Sequence, residues 1–168
     1  KGKHHDSVLK ALPKIIEKFP EVKYRIIGDG ILKKDLEDLA QSLGVINSVE
    51  FKGRVSDEEL AKSYQEASVF VMPSEKEGFG IVFLEAWLRK VPVICGTEDA
   101  SHEVVNDGRD GFAIHHNDID LLADKILFLL SNSSIAAEMG NQGNIKVIEN
   151  YLMANFVANL SSLLKGKF

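Results

Sequence analysis

The sequence predicts an α/β domain built on a doubly wound parallel sheet, and three observations predict it. Segments of helical period alternate with short strand-like segments along the chain. The strand-like segments are nearly continuous apolar runs, as expected of strands covered by helices on both faces. Glycines collect just after those runs, at the carboxyl edge where such sheets bind ligands.

The elements follow in order. Val8, Leu9, Leu12, Ile15, Ile16 and Phe19 recur at helical spacing, and Pro20 stops that helix. Tyr24–Ile27 reads as a strand running into Gly28-Asp29-Gly30. A second helix spans about Leu32 to Leu43, with Gly44 as its C-terminal cap. Val49-Glu50-Phe51 is a strand closed by Gly53, and Ser56 with Glu59 forms a capping box for a third helix. Ala67–Met72 is a strand ended by Pro73, followed by a helix from about Gly80 to Lys90. This helix is apolar nearly all round, which predicts burial. Val91–Cys95 is a strand, and Ser101 can cap a short helix through Val105. After the turn at Asn106-Asp107-Gly108 come a strand, Phe112–Ile114, and a helix opened by Asn117 with Asp120. A last helix spans Asn141 to Leu164, with Ile145, Ile148, Leu152, Phe156, Leu160 and Leu163 as its core stripe.

A length of 168 residues, 45% of them hydrophobic and 27% charged, suits one globular domain. A net charge of -5 argues against nucleic-acid binding through the overall field. The single cysteine, Cys95, allows no internal disulfide and points to a reducing compartment. It sits in an apolar strand, as a core residue rather than a nucleophile. Lys1–Asp6 lacks a signal-peptide core, and the apolar stretch Ile119–Leu130 is broken by Asp120, Asp124 and Lys125. These features point to a cytoplasmic protein; a peripheral place at the inner face of a membrane stays compatible with them.

Ser74 to Glu85 carries the strongest chemical signal. It joins a buried strand to a helix through a turn containing Gly78 and Gly80. The first free amides of the helix, around Ile81 to Phe83, suit a phosphate or sugar oxygens. Glu77 precedes the turn and Glu85 lies in the second helical turn, so the two carboxylates can hold opposite ends of one ligand. A carboxylate accepts from two neighbouring hydroxyls, as on a ribose. The plainer alternative is a tight turn plus an i,i+4 pair of Glu85 with Arg89. His4-His5 and His115-His116 offer histidine pairs without further ligands at metal-site spacing, so no metal is expected. Gly28-Asp29-Gly30 lacks the third glycine of a dinucleotide fingerprint.

Glu77-Gly78-Phe79-Gly80 and Glu85 resemble the E-x7-E signature of retaining glycosyltransferases of the GT-B fold, notably family 4. The resemblance continues through Val22–Leu43, Phe51–Leu60, Ala67–Ser74, Val91–Ile94 and Val104–Phe112. It implies a Rossmann-like donor-binding domain, the C-terminal half of a GT-B fold, over residues 1–168. It implies no cofactor, a nucleotide-diphosphate sugar as donor substrate, and transfer to an acceptor hydroxyl with retention. By resemblance Glu85 holds the ribose. Glu77, with Gly78, Phe79, Gly80 and Ile81 around the sugar and phosphate, is by resemblance the residue at the reacting centre. Val55 and Asp57 flank the base, Gly28 and Gly30 line the donor side, and Lys3 meets the diphosphate, with Lys1 as the other candidate.

Three departures stand out. Asp99-Ala100 replaces the family's Gly-Gly, and His102 replaces a proline. The family's first strand and its arginine are absent, as is the N-terminal acceptor domain, which is the partner this half would need for turnover. Strands Tyr24–Ile27 and Val69–Met72 should therefore flank a gap that invites another strand. Direct pairing of those two strands would remove the support for Lys3. A GT-B sugar-nucleotide epimerase and a non-catalytic binding module remain the alternative functions.

Overall fold

The computed structural model describes residues 2–151. Its order is α1 (His5–Lys18), β1 (Tyr24–Ile27), α2 (Lys33–Ser42), β2 (Val49–Gly53), α3 (Asp57–Glu66), β3 (Phe70–Met72), α4 (Ile81–Leu88), β4 (Val93–Cys95), α5 (Ser101–Val104), β5 (Gly111–Ala113), α6 (Ile119–Ser131) and α7 (Ser133–Asn150). Every named strand pair is parallel.

β4 shows why the sheet is covered on both sides. Its alternating side chains feed two separate cores. Ile94 joins α1 residues Leu9, Leu12 and Ile15 and α6 residues Leu122 and Ile126. Val93 and Cys95 join Tyr64 of α3, Phe83 and Trp87 of α4 and Val147 of α7. Burial pushes the Cys95 thiol up to about 12, so it is a core side chain without thiolate character.

The strands form two sheets, β1-β2 and β3-β4-β5. β1 and β3 do not pair, as the sequence predicts for strands flanking a gap. Tyr24, Val69 and Val71 are only half-buried, yet they pack on the same core as α1 and Ile94. The backbone of Gly2 meets the far end of β3, where its carbonyl accepts from Glu75 N–H at 3.0 Å. Amides of β1 and β3 that point away from β2 and β4 should exchange hydrogen faster than the paired ones. In a longer polypeptide carrying a strand ahead of Lys1, exchange mass spectrometry should show those amides protected. Equal exchange in both forms would contradict a strand seat between β1 and β3.

Local signals explain most helix ends. Ser56 Oγ accepts from Glu59 N–H at 3.2 Å, and the Glu59 carboxylate accepts from Ser56 N–H at 3.1 Å, completing the capping box. Two caps differ from expectation. Ser101 is the first residue of α5 rather than its cap, because the Asp99 carboxylate takes the Ser101 amide at 2.9 Å. Asp118, not Asn117, caps α6, accepting from Leu121 N–H at 3.1 Å.

Two further helical expectations need correction, that of the last helix and that of α4. α7 begins at Ser133, eight residues before Asn141, and Ile145 and Ile148 are exposed. Gly140, Gly143 and Val147 face inward instead. A side chain at Gly140 would run into the Lys90 carbonyl, and one at Gly143 into the Trp87 ring. α7 therefore seats its glycine face on α4, which turns the isoleucine stripe outward. Leu152, Phe156, Leu160 and Leu163 lie outside the described residues. α4 buries Phe83, Ala86 and Trp87 but leaves Ile81 and Leu88 exposed, so it is covered on one face and not all round.

Candidate functional site

The β3–α4 loop, Pro73 to Gly80, lies at the carboxyl edge of the three-stranded sheet. Gly80 adopts φ 77°, ψ 45° immediately before α4, a left-handed geometry that a glycine takes without steric cost. An added Cβ there would strike the Phe83 ring. The turn thus presents the α4 N-terminus to solvent while Phe83 fills the core beneath it. Phe79 and Ile81 are exposed on either side.

Lys3 comes to this turn from the other end of the chain. Its ammonium donates to the Glu77 carboxylate. Glu77 is mostly buried, with 19% of its side chain exposed against 42% for Lys3. A cation and a carboxylate are therefore held together beside free helix amides, a setting in which anionic and hydroxylated ligand groups both find partners.

Glu85 is half-buried, one turn further along α4. Its carboxylate accepts from the Tyr64 hydroxyl at 3.0 Å. Arg89 does not form the ion pair of the plainer alternative; its guanidinium donates to the Glu85 backbone carbonyl at 3.1 Å and lies over the Tyr64 ring at 5.5 Å. Burial, with the Glu85 charge, raises the Tyr64 phenol above its ordinary range, so it remains a donor. Tyr64 was not legible as a site residue because 21 positions separate it from Glu85.

Asp99 stands out in sequence only as a departure from the family's Gly-Gly, without a role. One carboxylate oxygen accepts from the Ser74 hydroxyl at 2.6 Å and from Glu77 N–H at 2.9 Å. The other accepts from Ser101 N–H and the Ser101 hydroxyl. Gly96 permits this clasp, because any side chain there would collide with the Ser74 carbonyl. The replacement of Gly-Gly by Asp99-Ala100 thus supplies the clamp that holds the Glu77 backbone.

Burial alone would raise the Asp99 carboxyl, but hydrogen bonds from Ser101, Ser74 and Glu77 outweigh it and hold the group below its usual range. A depressed folded value means the clamp's stabilisation is present above the unfolded value near pH 4 and is lost as pH falls through the folded value. Loop amides from Ser74 to Gly80 should therefore keep their chemical shifts from neutral pH down to about pH 4 and lose them below it. In Asp99→Asn that acid transition should vanish; its persistence would assign it to another group.

The remaining candidates belong to the other sheet. Gly28 has φ 114°, and its N–H donates to the Gly53 carbonyl at 2.7 Å. Asp29 and Arg54 approach within 3.5 Å and link the same two strand ends. Gly30 and Asp57 are exposed, and Val55 is half-buried. These four candidates follow β1 and β2, so the structure gathers Lys3, Glu77, Gly78, Phe79, Gly80, Ile81 and Glu85 and leaves Gly28, Gly30, Val55 and Asp57 as a second group. Two surface cavities of about 240 Å³ lie away from α4, one by Arg109 and Glu138 and one by Arg25 and Val55. No helix among the described residues is long and apolar enough to cross a membrane.

A family model described as "Glycosyl transferases group 1" matches residues 1–146. The chain is 33% identical over 172 residues to a GDP-mannose-dependent alpha-(1-6)-phosphatidylinositol monomannoside mannosyltransferase of Mycolicibacterium smegmatis, covering 98% of this chain and 45% of that protein. It is 33% identical over 144 residues to a D-inositol 3-phosphate glycosyltransferase of Streptomyces scabiei, covering 80% of this chain and 32% of that one. Among solved structures, S. aureus TarM in a complex that includes UDP superposes with a TM-score of 0.85 at 26% identity, covering 97% of this chain and 33% of TarM. The C-terminal domain of a group 1 family glycosyl transferase (LpcC) of Francisella tularensis superposes at 0.82 with 27% identity, covering 91% of this chain and 82% of that domain. The chain thus spans less than half the length of the first relatives it matches.

Proposed function

The chain belongs to the group 1 glycosyl transferases, and from that premise we propose that it is the donor-binding half of a retaining enzyme of the GT-B fold. The observation that carries the reading is the meeting of Lys3 with Glu77 at the α4 N-terminus, with Glu85 held one helical turn away by Tyr64. In this reading Glu85 accepts both ribose hydroxyls of a nucleotide-diphosphate sugar. The α4 amides and Lys3 face the diphosphate, and Glu77 with the Phe79–Ile81 backbone orients the sugar. Val55, Asp57, Gly28 and Gly30 line the base side.

The chemistry follows from the charges. Breaking the sugar–phosphate bond leaves negative charge on the diphosphate, where a cation and fixed amide dipoles stabilise it. Glu77 is paired to Lys3 and serves to position the sugar rather than to attack it. Transfer on the face that the leaving group vacates needs no covalent nucleophile. The acceptor side belongs to a second domain of a longer polypeptide, so this half binds donor with little turnover. A peripheral place at a membrane is consistent with the lipid acceptor named for the mycobacterial relative.

Calorimetric titration with GDP-mannose, UDP-glucose and ADP-glucose tests the donor reading, and product anomer analysis with the longer polypeptide tests retention. Saturable binding of one sugar nucleotide and an α product from an α donor support it. Inverted product would refute retention, and release of a free rearranged sugar would favour an epimerase.

A further inference from the structure

Three histidines and two glutamates converge at the carboxyl edge of the sheet, beside but separate from the Lys3–Glu77 pair. His4 begins the turn into α1, Glu75 follows β3, Glu98 follows β4, and His115 and His116 follow β5. The His4 and His116 rings stack with centroids 3.7 Å apart, although 112 positions separate them. His4 Nε2 lies 3.5 Å from a Glu75 carboxylate oxygen. The ligand atoms of His4, Glu75 and His116 all fall within 4.8 Å of one another. His116 Nδ1 lies 2.8 Å from Glu98, and His115 Nε2 lies 3.3 Å from the same carboxylate.

His4 Nε2 is buried without a hydrogen-bond partner, and His116 Nδ1, also buried, has the Glu98 carboxylate at 2.8 Å but makes no directed hydrogen bond. Buried polar atoms are ordinarily satisfied, so two imidazoles that face two carboxylates without a directed hydrogen bond call for an occupant. The other partners of Glu75 and His4 are weak. Lys76 reaches Glu75 only at 3.9 Å, and Asp6 stands 3.7 Å from the other His4 nitrogen.

We propose that His4, Glu75 and His116 bind a borderline divalent cation of the zinc type, with Glu98 holding His116 or completing the coordination. Two imidazoles and a carboxylate suit Zn²⁺, while Mg²⁺ and Ca²⁺ prefer all-oxygen sites. Tetrahedral ligands at about 2.0–2.2 Å from zinc stand about 3.3–3.6 Å apart, near the present His4–Glu75 spacing. The rings, stacked at an interplanar angle of 20°, must rotate out of parallel to aim both nitrogens at one ion. The ion would tie the start of α1 to the loops after β3 and β5 and so steady the segment that carries Lys3. This site does not depend on sugar-nucleotide binding.

The test is titration of the untagged chain with Zn²⁺ and, separately, Mg²⁺, followed by ring-proton NMR of the histidines. One Zn²⁺ should bind per chain, raise the melting temperature and shift the His4 and His116 resonances but not those of His102. His4→Gln and His116→Gln should each weaken Zn²⁺ binding by more than the roughly 10–100-fold typical of outer-shell changes. Glu75→Gln, which keeps the side-chain shape, gives the same reading if a histidine variant fails to fold. His102→Gln should bind as the parent does. Absence of Zn²⁺ binding, or Zn²⁺ affinity in the Glu75 and histidine variants equal to that of the parent chain, would overturn the proposal.

Discussion

Replacing Glu85 with glutamine is expected to weaken sugar-nucleotide binding by about 1.5–3 kcal/mol, roughly 10- to 150-fold in affinity. In the proposed donor complex a charged acceptor to two ribose hydroxyls becomes a neutral amide with one acceptor oxygen, while the side-chain shape is kept. Tyr64 can still donate to that oxygen, so the packing of α3 on α4 should survive. The melting temperature should therefore change little. Tyr64→Phe should give a smaller affinity loss, because it only frees the Glu85 carboxylate to rotate. Calorimetry on both variants, with thermal melts as control, checks this. A large fall in melting temperature with unchanged affinity would make Glu85 a structural residue.

Lys146→Met should cost about 3–5 kcal/mol of stability by leaving Asp110 charged and unpaired in the interior. Asp110 is 2% exposed, and its carboxylate meets the Lys146 ammonium at 2.8 Å. The same ammonium donates to the Val104 carbonyl and lies 5.2 Å from the Trp87 ring centre. It thus ties α7 to the far ends of α4 and α5. Methionine keeps the apolar stem over Trp87 but removes the charge. For a domain of this size the melting temperature should fall by on the order of 10 °C. Adding Asp110→Asn should recover part of the loss, since the amide oxygen can still accept from Asn106 N–H, now at 2.7 Å. A single-variant loss below about 1 kcal/mol would place this pair with ordinary surface ion pairs.

What the sequence disclosed depended on how local each signal was. The Ser56 capping box, the Gly44 stop and the strand at Tyr24–Ile27 are written in neighbouring residues, and all three hold. The gap between β1 and β3 also followed from strand order. The face of α7 did not, because the glycines that dock it lower helix propensity and are read as breakers until Trp87 and Lys90 are seen against them. At the site, the spacing of Glu77 and Glu85 was legible on one turn and helix. Tyr64 and Asp99 act through contacts that cross from α3 and from the β4–α5 loop, and no spacing rule reports these. Lys3 reached its place only through family register, and the structure brings it against Glu77. The histidine pairs stood alone in sequence because the carboxylates that face them, Glu75 and Glu98, come from other loops.

The most direct measurement is nitrogen-15 NMR of the labelled chain titrated with GDP-mannose and UDP-glucose. A donor site at the α4 N-terminus predicts saturable shifts confined to Lys3, Glu77 to Phe83 and Glu85, with smaller ones at Gly28 and Val55. Absence of saturable shifts with any sugar nucleotide, or shifts centred on the Arg109 and Glu138 cavity instead, would contradict it.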